Sequence, residues 1–426
     1  MIETIQHFLT PRRLGYAWLA GGALWLAWLI SVLLGPGDLD LAGQVVGTDY
    51  LQFYTAGVTL RQGESARLYD LAYQSELERK IIGPDLQSYH AFITPPFLAW
   101  LFVPFSWLPY GWSFILWSGL GLVGLWLSLK WLGLSSPTKG LVWSLSWFPA
   151  FAAISFGQNG LLSLTILSLT YALWRKERGF TAGVVCSLIL YKPQLALGIG
   201  LLWLIEWRHG HITSARSLAG LALGGGALAI MSFCLLPEAS LTYVDFARRV
   251  LPDLPSWQDF PIWHLHTVRG FWRLLLPEAK LPQLKWVADG LTGVCALIGV
   301  GGFWILWRNT SRKYNLQDRM PILYSLATCL TIWLTPHAMI YDWVILLIPA
   351  TLFWQHLPDD RPTWKVLFAL VWAATFFSSP LTFAQLKILP LAVQISVPVL
   401  VIVLWQIYLR LQNTPAEFKP PSSITV

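Results

Sequence analysis

Apolar runs of membrane length recur along this chain, separated by short loops, and a bilayer limits what such runs can form. With no water in the hydrocarbon core, a crossing segment must satisfy its own backbone groups. As a helix it needs about 20 apolar residues. The first run, Tyr16 to Leu34, meets that length, and without a strong small-residue cleavage site after it, it reads as a retained span. Hydrophobic residues make up 55% of the chain and charged residues 12%, too little charge for the surface of a soluble globule. Tryptophan, with 26 copies, gathers near the ends of apolar runs (Trp107, Trp131, Trp174, Trp207, Trp307, Trp343), as interfacial aromatic belts do. Cys186, Cys234, Cys295 and Cys329 all fall inside apolar runs and read as small packing residues. The expected class is an all-α polytopic membrane protein whose partners include membrane lipids, and no motif points to nucleic acid.

Candidate spans are 14–35, 109–131, 140–156, 158–174, 179–191, 193–207, 217–236, 284–307, 320–335, 342–356, 363–379 and 388–411, about twelve transmembrane helices. Basic residues cluster between them, at Arg12/Arg13, Lys130/Lys139, Arg175/Lys176/Arg178, Arg208/Arg216, Arg308/Arg312/Lys313/Arg319 and Arg361/Lys365. Placing every cluster on the cytoplasmic side puts both termini inside, and the net charge of +7 is then a topology signal first. The run 92–107 breaks this alternation; with Pro95, Pro96 and Pro104 removing amide donors, it reads as re-entrant or surface-lying. One membrane domain, 1–413, results, with non-cytoplasmic loops at 36–91 and 237–283 and a disordered Pro/Ser-rich tail at 414–426. Within the first loop, Tyr50, Phe53, Tyr54, Gly57 and Val58 share one helical face, and Gln52, Thr55, Thr59 and Gln62 the other. Asp70 is placed to cap a second helix, with Tyr73, Leu77 and Ile81 toward lipid and Glu76, Glu78 and Arg79 toward water. Both patterns suit amphipathic helices lying on the outer leaflet.

That outer face collects the polar residues an apolar chain keeps only at a cost. Asp49 follows the first span; it is either a solvated helix cap or a general base that takes the proton of a hydroxyl receiving a sugar. Lys192 interrupts two apolar runs and precedes Pro193. It either snorkels to the interface or meets a phosphate, beside the free N–H groups of the helix restarting at Pro193. Arg269 lies in a loop of mixed basic and aromatic residues and is a second candidate phosphate contact. His264 and His266, two apart, do not share a helical face and make no metal pair. His337, Tyr341 and Asp342 form a last cluster, and Gly157-Gln158-Asn159-Gly160 a polar turn.

Asp49-Tyr50-x-x-Phe53-Tyr54-x-Ala56-Gly57, with Gly63 and Leu68-Tyr69-Asp70, resembles the first outer loop of family-87 glycosyltransferases, polyprenyl-phosphate-mannose-dependent mannosyltransferases of the GT-C class. Thr94-Pro95-Pro96-Phe97, Gly157-Gln158-Asn159, Leu190-Tyr191-Lys192-Pro193 and Thr267-Val268-Arg269-Gly270-Phe271-x-Arg273 are similar, in order, to its further motifs. The chain departs from the pattern twice: Leu265-His266 stands where the family has Asn-Gln, and His337 precedes Tyr341-Asp342 instead of following it. The resemblance implies a GT-C fold and an inverting hexose transfer, mannose by analogy, from a polyprenyl-phosphate donor to a lipid or glycan acceptor. It places this on the non-cytoplasmic face of a bacterial-type inner membrane. Asp49 would be the base, Lys192, Arg269 and His337 would hold the donor phosphate, with Asp342 in the same cluster, and Tyr50, Tyr54, Gln158 and Asn159 would shape the sugar site. No cofactor and no metal is expected, since a cationic pocket can stabilise the departing phosphate. A flippase for lipid-linked sugars would share the polar cavity and broken helices but has no need of Asp49. A lipid-linked glycan ligase or polymerase would share the chemistry as well.

Overall fold

The computed structural model describes residues 7, 9–86, 88–252, 260–276, 283–357 and 361–413, so the expected tail at 414–426 lies outside the described residues. Those residues form helices and turns, with two isolated β-bridges, Leu39 to Val45 and Leu265 to Met339. In chain order the α-helices are α1 (Pro11–Leu34), α2 (Tyr50–Arg61), α3 (Leu71–Ile82), α4 (Pro96–Phe102), α5 (Tyr110–Trp131) and α6 (Pro137–Leu145). There follow α7 (Phe148–Ser155), α8 (Gly160–Arg175), α9 (Gly179–Ser187), α10 (Leu197–Arg208), α11 (Ile212–Leu235) and α12 (Pro237–Arg249). The last six are α13 (Val268–Leu275), α14 (Leu284–Lys313), α15 (Leu316–Leu334), α16 (Leu347–His356), α17 (Arg361–Ile388) and α18 (Ser396–Asn413).

Among the described residues, five helices are long and apolar enough to cross a bilayer: Gly15–Leu34 of α1, α5, α11, α14 and α17. A sixth crossing is possible if α7 and α8, which meet at a 117° bend, count as one broken span. The chain is thus membrane-embedded, but the other expected spans are shorter, broken or, as in α15, less apolar. Residues 179–191 are the nine-residue α9 followed by a 3₁₀ turn through Tyr191, and 342–356 are a 3₁₀ segment running into the ten-residue α16. Such pieces are tolerated where protein surrounds them. The clearest case is α15, buried continuously from Arg319 to Ile332. By contrast α1 and α14 turn Leu33 (78% exposed), Trp286 (78%) and Leu297 (75%) outward, as lipid-facing helices do.

Small residues allow the tightest crossing, between α9 and α11. A Cβ on Gly183 would overlap the Ser217 carbonyl, and one on Gly220 the Phe180 carbonyl. At the other end of α10 a charged cluster joins three helices. Glu206, fully buried, accepts from Arg319 Nη2 (3.0 Å) and from the Trp307 indole (2.6 Å), with His211 Nε2 at 3.2 Å.

The first loop departs from its expected form. Helix α2 does not lie on a leaflet: Tyr50 to Thr59 are all buried. Its polar face is enclosed at little cost because Thr55 and Thr59 donate back to the helix's own carbonyls at Leu51 and Thr55, each at 2.8 Å. Its aromatic face stacks on α4, with Phe53 and Phe102 rings 5.0 Å apart. Helix α4, seven residues long, rises only about 10 Å, too short to cross as a helix. Helix α3 begins as expected, Asp70 Oδ1 accepting the amides of Ala72 and Tyr73, both at 3.1 Å. Glu76 and Arg79 are exposed, but Glu78 is fully buried instead of facing water. The reason is a tertiary bond: Glu78 Oε2 accepts the backbone N–H of His90 at 3.1 Å.

Two predictions follow from this packing. Gly183→Val should destabilise the detergent-solubilised protein by about 1–3 kcal/mol or more, as core overpacking does, read as a lower unfolding midpoint. Gly226→Ala on α11, where a Cβ meets nothing within 4 Å, should not. Burial pushes the Glu78 carboxyl up to about 8, its bond from the His90 amide opposing. A raised acid favours the folded state while protonated, so this stability is full at low pH and is lost as pH climbs through the window from about 4.5 to 8. Glu78→Gln keeps the acceptor and cannot ionise. Its unfolding midpoint should therefore lose that pH slope and exceed the parent's at pH 8, by on the order of a few kcal/mol.

Candidate active site

Asp49 is set by a turn from elsewhere in the chain. The carbonyl of Phe156 accepts the backbone N–H groups of both Asp49 (2.9 Å) and Tyr50 (3.0 Å), fixing the start of α2. Gly157 follows at φ +65°, where a Cβ would collide with Tyr50, so only glycine lets the turn seat this closely. Asp49 occupies the N-cap position of α2, yet its side chain makes no cap hydrogen bond. A quarter exposed, it points instead toward His90, whose Nδ1 is 3.7 Å from Asp49 Oδ1.

Two more rings border Asp49. His264 and Tyr341 both pack edge-on against Phe156, with centroids at 6.2 and 6.4 Å. Asp49 lies within electrostatic range of each. Burial pushes His264 down to about 4 against the pull of Asp49, so it is neutral at pH 7, and its Nδ1 is buried with no hydrogen-bond partner.

On its other side Tyr341 meets Lys192. Pro193 prevents the preceding 3₁₀ turn from continuing and leaves Lys192 extended between two short helical pieces, at φ −132° and ψ 74°. Its ammonium stands 5.0 Å from the centre of the Tyr341 ring and 2.7 Å from Asp342 Oδ1. The other Asp342 oxygen accepts the Met339 amide at 3.1 Å, so Asp342 aims Lys192 and is itself only 2% exposed. His337 sits in the combined field of Asp342, Lys192 and Arg269. Burial is the main reason its ring is pushed down to about 4; Asp342 opposes the shift, and Lys192 and Arg269 add to it. His337 is therefore a neutral ring here, a hydrogen-bonding group and not a cation. Gln194 donates to the His337 carbonyl at 3.4 Å. Arg269 pairs with Asp289, Nε to Oδ1 at 2.8 Å, and remains partly exposed. Both cations are thus already paired, and each keeps donors to spare, since an ammonium has three and a guanidinium five.

Lys192, Asp342, Arg269 and His337 therefore share one electrostatic neighbourhood, joined to Asp49 through Tyr341 and Phe156, while the remaining expected residues are all buried. Tyr50, fully buried, places its hydroxyl 2.5 Å from Ser113 Oγ, and Tyr54 donates to the Leu108 carbonyl at 2.8 Å. Both belong to an aromatic cluster with Tyr110 and anchor α2. Gln158, 6% exposed, lines an apolar groove between α5 and α8 with Trp117, Gly121 and Thr165. Asn159 is fully buried; its carbonyl accepts from Tyr191 (3.3 Å), and its side-chain amide has no partner among the described residues.

Sequence reasoning passed over His90 and the work done by His266, and it placed Glu78 toward water. The His266 ring spans Ser396 (2.7 Å) and Ser379 (2.9 Å), and its carbonyl accepts the Trp343 indole at 2.9 Å. It pins α13 and the His337 turn to α17 and α18, a role for the histidine that replaces the family's polar pair. Partners more than a hundred positions away leave no local signal. Among the described residues, no three His, Cys, Asp or Glu side chains converge as a metal-binding group.

A family model, glycosyltransferase family 87, matches residues 92–334. That stretch includes Gln158, Asn159, Lys192 and Arg269, and leaves Asp49, His337 and Asp342 outside it. No curated protein and no solved structure matches the chain. With more than half its length matched, the chain belongs to glycosyltransferase family 87 and is a membrane-embedded glycosyltransferase.

Proposed function

We propose that the protein moves a hexose, mannose by resemblance, from a polyprenyl-phosphate donor to a hydroxyl of a lipid or glycan acceptor, at the non-cytoplasmic face of an inner membrane. What supports this reading is that Asp49, an uncapped carboxylate, is seated on Phe156, whose ring packs against Tyr341, and that the paired Lys192 ammonium stands 5.0 Å from that same Tyr341 ring. In the proposed reaction the acceptor oxygen forms a bond to the anomeric carbon as the bond from that carbon to the phosphate oxygen breaks. The acceptor's proton goes to Asp49. The electron pair leaves with the lipid phosphate, whose added charge Lys192 and Arg269 neutralise, while the neutral His337 offers a hydrogen bond. Attack opposite the leaving group inverts the anomeric centre. Family membership sets the flippase reading aside; the ligase or polymerase reading differs only in the acceptor.

Transfer of radiolabelled sugar from polyprenyl phosphate to membrane lipid acceptors tests the assignment. Asp49→Asn should leave the fold and donor binding intact and lower turnover about a hundredfold to ten-thousandfold. Asp49→Glu should also lose most activity, because the carboxylate moves by roughly an ångström. Lys192→Gln should raise the donor KM and lower kcat together. Near-parental turnover in Asp49→Asn would overturn the base assignment, and unchanged donor kinetics in Lys192→Gln the phosphate contact.

Sidedness has its own test. Leu41, 59% exposed, lies just before Asp49, and the exposed Lys176 lies past the far end of α8. In a cysteine-free background, Leu41→Cys should react with an impermeant thiol reagent in intact cells, and Lys176→Cys only after permeabilisation. The reverse pattern would turn the site toward the cytoplasm.

A further inference from the structure

His90 stands out because three separate contacts fix it beside Asp49. Its backbone N–H is held by Glu78, a fully buried carboxyl reaching across from α3. Its Nε2 lies 3.0 Å from Ser88 Oγ. Its Nδ1 lies 3.7 Å from Asp49 Oδ1, the two side chains 14% and 25% exposed. The neighbouring backbone is tied down as well: Gln74 Oε1 accepts both the Phe92 amide (2.8 Å) and the Tyr89 hydroxyl (3.1 Å). Residues 88–92 form no helix, yet α3 supplies two side chains whose bonds hold this segment against the first turn of α2.

From this we infer that His90 is the positioning residue of the general base: its Nδ1–H holds Asp49 Oδ1 and leaves Oδ2 to face the acceptor hydroxyl. The tautomer follows from the neighbours. A carboxylate opposite Nδ1 requires the proton there, so the Ser88 hydroxyl donates to Nε2. At 3.7 Å the pair is looser than a hydrogen bond, as catalytic contacts often are before substrate binds, and it closes when the acceptor fills the site. The geometry explains why Asp49 stands at an N-cap without capping: its carboxylate is drawn off the helix toward the ring.

This inference rests on the reading of Asp49 as the base, so the experiment measures both. In the sugar-transfer assay, His90→Ala should lower kcat by up to about a hundredfold with the donor KM unchanged, since the donor contacts lie at Lys192 and Arg269. The main-chain bond to Glu78 survives in that variant, so the segment keeps its path. His90→Asn should recover activity to within about tenfold of the parent, because an asparagine amide places an N–H near the former Nδ1. The decisive readout is the double variant. If His90 acts through Asp49, adding His90→Ala to Asp49→Asn should cost no more than about twofold beyond Asp49→Asn alone. Full additivity of the two losses, or a His90→Asn as inactive as His90→Ala, would overturn the inference while leaving Asp49 as the base. An active Asp49→Asn would instead remove the reading beneath it. If His90→Ala does not fold, the comparison of His90→Asn with His90→Gln decides: Gln places its amide at the Nε2 position and should not rescue.

Discussion

The carbonyl of Phe156 holds the site together. By accepting two consecutive amides at the start of α2, it joins the first loop to the bend between α7 and α8, and it does so where Gly157 removes the side chain that would keep them apart. The same residue's ring then supports His264 and Tyr341. A single turn thus determines where the carboxylate of Asp49 stands relative to the rings around it. A sharp bend between two helices leaves backbone groups without helical partners; here one of those freed carbonyls is put to use.

Charge at the site is organised as pairs. Lys192 with Asp342 and Arg269 with Asp289 neutralise one another before substrate arrives. A solitary ammonium in such surroundings would be costly. Pairing removes that cost and orients the cation, since Asp342 is itself anchored by the Met339 amide. In the proposed reaction the donor phosphate would meet cations that are already placed, which is the condition for electrostatic stabilisation without reorganisation.

How much of this could be read from the residues depends on how local each signal is. The break at Lys192-Pro193, the cap at Asp70 and the polar turn at Gly157 are written in adjacent residues, and each stands where expected. The burial of α2 was not legible. Its alternating polar face suits water, and only the threonine bonds back to its own carbonyls let that face enter the protein. Glu78 was misread for a related reason: a charge on an amphipathic pattern signals solvent unless something distant claims it, and here the amide of His90 does. Of about twelve expected crossings, five or six are long, apolar helices among the described residues, because apolar runs broken by Pro193 and by the 3₁₀ segment at 340–346 pass a length test without forming long helices.

The buried cluster of Glu206, Arg319 and Trp307 bears on how the chain enters its membrane. Glu206 lies on α10 and is made well before Arg319, which opens α15. Until α15 emerges from the ribosome, that carboxylate lacks the guanidinium that compensates it in the finished fold. Helix α15, enclosed along most of its length, has no lipid-facing surface on which to wait. The buried pair is therefore completed late in synthesis, and the packing of α10 against α15 can close only once Arg319 has been made.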